Sequence, residues 1–324
     1  FDVSSWPEYG KLSGRKVEEQ EEGARVALNP EKQDPADFAV WKKAEPGHIL
    51  RWPSPWGWGY PGWHLECSVM ATKYLGQPFD IHGGGLENVF PHNESEIAQI
   101  EAATDERFCN YWLLNNMVTI DGVKMGKSLG NFVTIKDALA RHDPMTIRFF
   151  ILSTHYRSPT DFSEEALDAA GRGLERLLGA VGLVRERLRD APDGELDPGW
   201  SAKLDEYRAR FREVMDDDFG APQAIAALFD LGRDTNSLLN SGEPVSRGTL
   251  EAIDTFYRET GGDVLGIIPA DLARQAGGEL VDSLLRLLID LRRQARQNRN
   301  WAEADAIRDR LAEMGVTLED SAEG

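Results

Sequence analysis

"FDIHGGGLENVFPHNESEIAQIEAA" (residues 79–103) decides the fold class of the N-terminal half. Phe79 to His82 reads as a strand running into a glycine turn, and Glu94 to Ala103 carries the apolar spacing of a helix. His82 therefore stands at the C-terminal end of a strand, where α/β sheets bind their ligands. Gly83, Gly84 and Gly85 leave backbone N–H groups open to close approach by a nucleotide or substrate. His92 and Glu96 are four apart, so a helix over 93–103 sets them on one face of its first turn. Cys67 precedes His92 by 25 residues. A thiolate, an imidazole and a carboxylate converging on one point form a Zn²⁺ ligand set. A solvated His/Glu pair accounts for the spacing as well, and no C-x-x-C pair accompanies it.

The flanks extend the pattern. "LECSVMATKYL" (65–75) is helical and "YWLLNNMVTI" (111–120) passes into a strand, the alternation of an α/β unit. Residues 1 to about 60 are irregular and rich in Gly, Pro and Trp. Within "RWPSPWGWGYPGWH" (51–64), Trp52, Trp56, Trp58 and Trp63 stand among helix breakers, and the expectation is aromatic rings laid over a pocket or hydrophobic floor. "FDVSSW" (1–6) reads as the end of a strand with no helix cap and no starting Met, which suggests that an upstream part is absent.

Beyond about residue 160 the period changes to long amphipathic helices. Leu174, Leu177, Leu178, Val181, Val184 and Leu188 keep one helical face. "DDDFGAPQAIAALFDLGRDTNSLL" (216–239) sets acidic residues and Pro222 before Ile225, Leu228 and Phe229, a helix start. Residues 243–278 hold turn residues around one helix, Leu280 to about Arg299 forms another, and 301–315 a last one stopped by Gly315. "VTLED" (316–320) suits a short closing strand.

Composition bounds function loosely. The 324 residues, 41% apolar and 28% charged, suit two or three soluble domains. No run of eighteen apolar residues crosses a membrane, and no secretory leader opens the chain. Two cysteines, Cys67 and Cys109, make no disulfide framework, which points to a reducing compartment. The net charge of -19 repels phosphate at long range unless cations gather locally. They gather in "VKMGKSLGNF" (123–132), where Lys124 and Lys127 flank Gly126 and Ser128 follows. Two lysines and a hydroxyl on a flexible loop suit a polyphosphate, but Asp121 occupies the place of the first P-loop glycine.

Taken in order, "PGWHLECSVM", "FDIHGGG", "FPH", "EIAQ", "NYW" and "KMGKSLGNF" resemble the cysteinyl-tRNA synthetases, class I aminoacyl-tRNA synthetases. "YGKLSGR", "DPADFAVWK", "WPSPWG", "HYRSPTDFSEEAL", "DDFGAP" and "ADAIRDRL" extend the resemblance over the whole chain. It implies part of a Rossmann-type class I catalytic domain with a zinc site, then a helical bundle and a small C-terminal module. The corresponding boundaries are 1–135 for the catalytic part, 136–165 for a stem-contacting connector, 166–275 for the bundle and 276–324 for anticodon recognition. The implied reaction activates L-cysteine with ATP to cysteinyl-adenylate, with Mg²⁺, and transfers it to the 3′ end of tRNA(Cys). The implied enzyme is a cytoplasmic monomer.

Residue roles follow from the same resemblance. Cys67, His92 and Glu96 match three of four Zn²⁺ ligands, the fourth being a Cys of an N-terminal part this chain does not contain. Trp63, His64 and His82 would line the amino-acid pocket. The lysine loop resembles the KMSKS loop, with Lys124 and Lys127 catalytic; both, with Ser128, Gly84 and Glu87, would bind ATP. Arg292, Arg293, Arg296 and Arg299, in a stretch with a local charge of +3 from 286 to 310, would bind tRNA; Arg141, Arg148 and Arg157 suit an acceptor-stem contact.

The departures are specific. Gly126 replaces the usual Ser, Asn93 a second His, Ser95 an Asn, and Glu87 an Asp. No HIGH-type motif occurs, "GHIL" (47–50) standing in another context, so the resemblance implies that this chain alone does not form the adenylate. Two alternatives stay open: a cysteine ligase of mycothiol synthesis acting on an amino-sugar, and a non-catalytic zinc or RNA-binding module.

Overall fold

The computed structural model describes residues 1–15, 32–298 and 300–313, in two units that divide inside one long helix at Ala169 and Ala170. The described residues of the first unit form three small sheets. In the antiparallel one, β1 (Trp41–Lys43) and β2 (Trp52–Ser54) flank β3 (Gly57–Pro61). Gly59 is required at its centre, because a Cβ there would lie 2.6 Å from the Lys42 carbonyl oxygen and collide with the Trp41 indole. The tryptophan-rich stretch is thus a strand arm. Two of its rings depart from the expected pocket or floor: Trp56 is 79% and Trp58 55% exposed. Alternate strand residues point to opposite faces, and no layer among the described residues buries either Trp56 or Trp58.

From β3 the chain passes through Gly62 into α1 (Trp63–Leu75), then β4 (Phe79–Gly85), α2 (Glu94–Thr104) and β5 (Cys109–Asn115). β4 and β5 pair in parallel with α2 as their connection, a βαβ unit. The three glycines belong to the strand, opposite Leu113, Leu114 and Asn115, and the turn comes after them. The expected glycine turn is corrected accordingly: without side chains, these residues let the strand run on beneath the site.

α2 is buried from Glu94 through Ile100. One side packs with Phe79, Phe108 and Cys109, the other with Val3 and Tyr9. The opening residues are therefore not a strand end. Val3–Ser5 form a 3₁₀ turn capped by Asp2, whose carboxylate accepts from the Ser4 N–H at 3.0 Å. The completely buried Glu94 accepts the N–H groups of Leu12 at 3.3 Å and Ser13 at 2.8 Å, tying this segment to α2.

The third sheet carries the lysine loop. β6 (Val118–Ile120) and β7 (Val123–Lys124) join through Asp121 and Gly122, at φ 53° and 73°, the two-residue hairpin turn that Asp-Gly favours. β8 (Thr160–Asp161) runs parallel to β6. Asp161 accepts the Thr119 hydroxyl at 2.7 Å and the Gly122 N–H at 2.8 Å, and these bonds hold its carboxyl below the usual range. After the loop come α3 (Ile135–Leu139), started by a Thr134/Asp137 capping box, and α4 (Pro144–Leu152), capped by Asp143.

The second unit is helical. The long α5 (Glu164–Arg189) is followed by α6 (Pro198–Asp216), α7 (Ala221–Leu239), α8 (Arg247–Tyr257), α9 (Leu272–Gln297) and α10 (Trp301–Glu313). Leu174, Leu177, Val181 and Val184 are buried as their spacing requires, with Leu178 and Leu188 half-buried at the edge of the stripe. Arg185 ties α5 to α8 through Asp254 at 2.7 Å and donates to the Pro269 carbonyl at 2.9 Å. α9 begins at Leu272, ahead of the expected Leu280, because Gly277 and Gly278 weaken a growing helix without ending it. Gly315 and "VTLED" lie outside the described residues. No helix among the described residues is long and apolar enough to cross a membrane.

Candidate functional site

The site forms where α1 and α2 approach each other beside the C-terminal half of β4. Cys67 comes from the first turns of α1, His92 from the turn preceding α2, and Glu96 from the first turn of α2. One donor atom from each lies within 4.8 Å of the other two. His92 and Glu96 are buried and Cys67 is half-buried. The sequence spacing thus becomes a real cluster.

The orientation of Glu96 is fixed from one side. His82 Nε2 lies 3.1 Å from its Oε2, and Asn93 Nδ2 donates to the same oxygen at 2.9 Å. The other oxygen, Oε1, is buried with no hydrogen-bond partner, 3.7 Å from His92 Nε2. A buried carboxylate oxygen left unpaired is costly. Nearby, His92 Nδ1 is engaged by His64 Nδ1 at 2.7 Å, which leaves Nε2 as the ring atom facing the carboxylate. Trp63 stacks on His92 with centroids 3.8 Å apart, and Trp112 stacks on His82 at 4.4 Å.

Electrostatics agree with this geometry. Burial, followed by the Glu96 charge, pushes the Cys67 thiol up. Burial, followed by repulsion from His92, lowers His64 to about 4, and burial lowers His92 as well. These rings are thus neutral near pH 7, the state in which imidazole ligates. A divalent cation at this point would satisfy the orphaned Oε1, with the neutral imidazole and the thiol, once deprotonated, as further ligands, so the three side chains fit a metal.

The lysine loop lies at the same end of the unit. Gly126 N–H donates to the Asn131 side-chain oxygen at 2.9 Å, and the Asn131 amide donates to the Lys124 carbonyl at 3.2 Å. Asn131 therefore braces both ends of the loop. Lys124 Nζ is 3.9 Å from Glu87, whose carboxylate lies against Gly85, so the loop and the end of β4 are linked. Lys127 lies over the Phe132 ring at 5.4 Å. Ser128 sits in a single 3₁₀ turn, and Gly84 faces the Asn93 amide.

Other expected site residues are dispersed. Arg293 pairs with Asp290 at 3.7 Å on α9, Arg292 is half-buried and Arg296 is exposed; Arg299 lies outside the described residues. Arg141 is held by Glu164 at 2.5 Å, and Arg157 lies over Tyr156. Reading the sequence did not single out Glu94, Asn131 or Trp112 as supports. Each works through a partner distant in the chain or through the backbone, and no local spacing signals that.

Residues 1–172 match the model of the tRNA synthetases class I (C) catalytic domain, more than half of the chain. The chain belongs to the cysteine-specific class I tRNA synthetase family. Family models also match at 210–269, a DALR domain, and at 281–324, a cysteinyl-tRNA ligase anticodon binding domain. The chain is 50% identical over its whole length to the cysteine–tRNA ligase of Deinococcus radiodurans and 47% to that of Thermus thermophilus. It spans 65% and 67% of the lengths of these two relatives. Among solved structures, LeuRS of Agrobacterium radiobacter in a ternary complex shares the fold, with TM-score 0.50 and 18% identity over 64% of this chain and 31% of that one. The family's catalytic domain is thus followed here by helical anticodon-binding domains.

Proposed function

We propose that this chain carries the thiol-selecting site, the lysine loop and the RNA-binding helices of a cysteine–tRNA ligase. The observation that carries the reading is the convergence of Cys67, His92 and Glu96, with Glu96 Oε1 buried and unpaired. In the whole enzyme, the cysteine carboxylate attacks the α-phosphorus of ATP, releasing pyrophosphate and leaving cysteinyl-adenylate. A terminal ribose hydroxyl of tRNA(Cys) then takes the cysteinyl group and AMP departs.

Cys67, His92 and Glu96 would hold Zn²⁺. When bound, this borderline-soft ion favours the substrate thiolate over a serine hydroxyl. Reading the differing atom by a bond discriminates without an editing step. Trp63, His64 and His82 line the amino-acid pocket, with Trp63 and His64 also fixing the His92 ring. Lys124 and Lys127 stabilise the charge that builds on the leaving phosphates, with Mg²⁺ on ATP; Gly84, Glu87 and Ser128 complete the nucleotide contacts. The division of labour proposed here is a catalytic part over 1–135, a connector over 136–165, a helical bundle over 166–275 and an anticodon module from 276. Arg292, Arg293 and Arg296 on α9, with Arg299, contact the RNA there. The anticodon-domain match at 281–324 favours tRNA over an amino-sugar as acceptor. The enzyme acts as a cytoplasmic monomer.

The test is tRNA charging by this chain completed with the remaining third of the Deinococcus relative. Labelled cysteine should appear on tRNA, serine should not, and Cys67→Ala should abolish the signal. Cysteine-dependent pyrophosphate exchange with no charged tRNA would refute the ligase reading.

A further inference from the structure

The lysine loop hangs between two anchors that lie outside it. It leaves β7 at Lys124 and enters α3 at Ile135. Ahead of the loop, Asp161 grips the hairpin turn at Asp121 and Gly122. A single carboxylate oxygen, Oδ1, accepts both the Thr119 hydroxyl at 2.7 Å and the Gly122 N–H at 2.8 Å. Behind the loop, Arg141 and His142 follow α3, and both end on Glu164. Arg141 Nη1 lies 2.5 Å from Oε1 and His142 Nε2 lies 2.9 Å from Oε2. Asp161 and Glu164 stand three apart in the chain, so one short segment holds both flanks of the loop.

That segment is itself fixed. The Thr160 N–H donates to the Met117 carbonyl at 3.1 Å, and the Phe162 N–H to the Thr119 carbonyl at 2.7 Å. The Phe162 ring meets the buried Phe150 of α4 edge-on, with centroids 5.7 Å apart. The Ser163 hydroxyl accepts the Ala166 N–H at 3.3 Å, starting α5 at Glu164. Lys127, Ser128, Leu129 and Gly130, between the anchors, are exposed. Lys124 faces Glu87 and Lys127 the Phe132 ring, so Asp161 and Glu164 act on the flanks and not on the lysines. An exposed ion pair such as that of Arg141 with Glu164 adds little to stability. Its consequence is geometric: fixed ends restrict where a short loop can carry its side chains.

We propose that Asp161 and Glu164 are positioning residues, a clamp that sets where Lys124 and Lys127 meet the charge on the leaving phosphates. This rests on the tRNA-ligase reading and adds to it residues that touch neither substrate nor metal. Asp161 fixes the approach to the loop and Glu164 its exit, while the lysines between them stay free to move.

Two measurements test the clamp. One is cysteine-dependent pyrophosphate exchange by the chain completed with the remaining third of the Deinococcus relative; the other is amide hydrogen exchange in the 324-residue chain. Asp161→Ala should lower the kcat of pyrophosphate exchange about 10–100-fold, the scale of a reacting group displaced by about 1 Å. The KM for cysteine should not change, because the thiol-selecting residues are untouched. Asp161→Asn should restore most of the rate, since the oxygen that accepts both bonds is kept. Amide exchange over 123–134 should quicken about tenfold in Asp161→Ala and stay near the parent in Asp161→Asn. Glu164→Ala should act in the same direction over 134–142. Equal losses of kcat and melting temperature in Asp161→Ala and Asp161→Asn would mark a merely structural residue and overturn the clamp. An active parent with an equally active Asp161→Ala overturns the clamp and leaves the ligase reading standing. A parent without pyrophosphate exchange removes the ligase reading. Amide exchange then decides the clamp alone: faster exchange in Asp161→Ala supports it, and unchanged exchange overturns it.

Discussion

The thiol-selecting cluster and the lysine loop serve one proposed reaction and are built in opposite ways. In the cluster, the two buried side chains are braced by others: Trp63 and His64 hold His92, while His82 and Asn93 hold Glu96. The loop has exposed lysines and is braced through its backbone by one amide, Asn131. A site that must distinguish sulfur from oxygen in a ground-state substrate gains from rigid, dehydrated donors. A loop that meets charge only as pyrophosphate departs gains from lysines free to approach late. In the proposed reaction, the braced side chains would thus stand where recognition occurs and the exposed lysines where charge would develop.

Removing Lys127 should expose this contrast most strongly. In the completed enzyme, Lys127→Ala should slow cysteine-dependent pyrophosphate exchange by about 10²–10³, the scale of one lost electrostatic stabiliser, with metal affinity unchanged. Asn93→Ala should do the reverse. Loss of the donor that turns Glu96 should weaken metal binding about 10–100-fold in competition with a chromogenic chelator. Equal sensitivity of both activities to both substitutions would erase the distinction between the two regions.

Smaller effects sharpen it. Hydrogen bonding from Lys203, and secondarily from Tyr207, holds Asp234 below its ordinary 3.8. The unfolded chain therefore takes up this proton first as the pH falls. The stabilisation is present above about pH 4 and is lost as the pH drops through the lower folded value, contributing about 1 kcal/mol or less. Far-UV melting curves of Asp234→Asn should accordingly lose less stability on acidification below pH 4 than those of the parent. Gly126→Ser should matter least. The glycine is extended at φ -162°, and an added Cβ meets nothing closer than the Ser128 hydroxyl at 3.9 Å. Turnover within about twofold of the parent is expected, as for an unstrained surface change.

Much of this was readable in the sequence because its signals are local. Strand, glycines and helix over 79–103, the i, i+4 step from His92 to Glu96, and the leucine stripe of α5 are all short-range patterns. The cluster itself needed Cys67 to return across 25 residues, and the family resemblance supplied that closure where spacing alone left alternatives. What stayed hidden depends on partners distant in the chain. Glu94 bonds the backbone of Leu12 and Ser13, and the first residues pack on α2 rather than ending a strand. The tryptophan arm misled for a related reason. Its aromatic content suggested burial, but its register exposes Trp58 beside Arg51.

The most direct measurement is X-ray absorption on this chain loaded with one equivalent of Zn²⁺, paired with Cys67→Ala. The account predicts a sulfur scatterer at about 2.3 Å together with nitrogen or oxygen scatterers near 2.0–2.1 Å, the sulfur disappearing in the variant. A zinc environment without sulfur, or one that Cys67→Ala leaves unchanged, would contradict it.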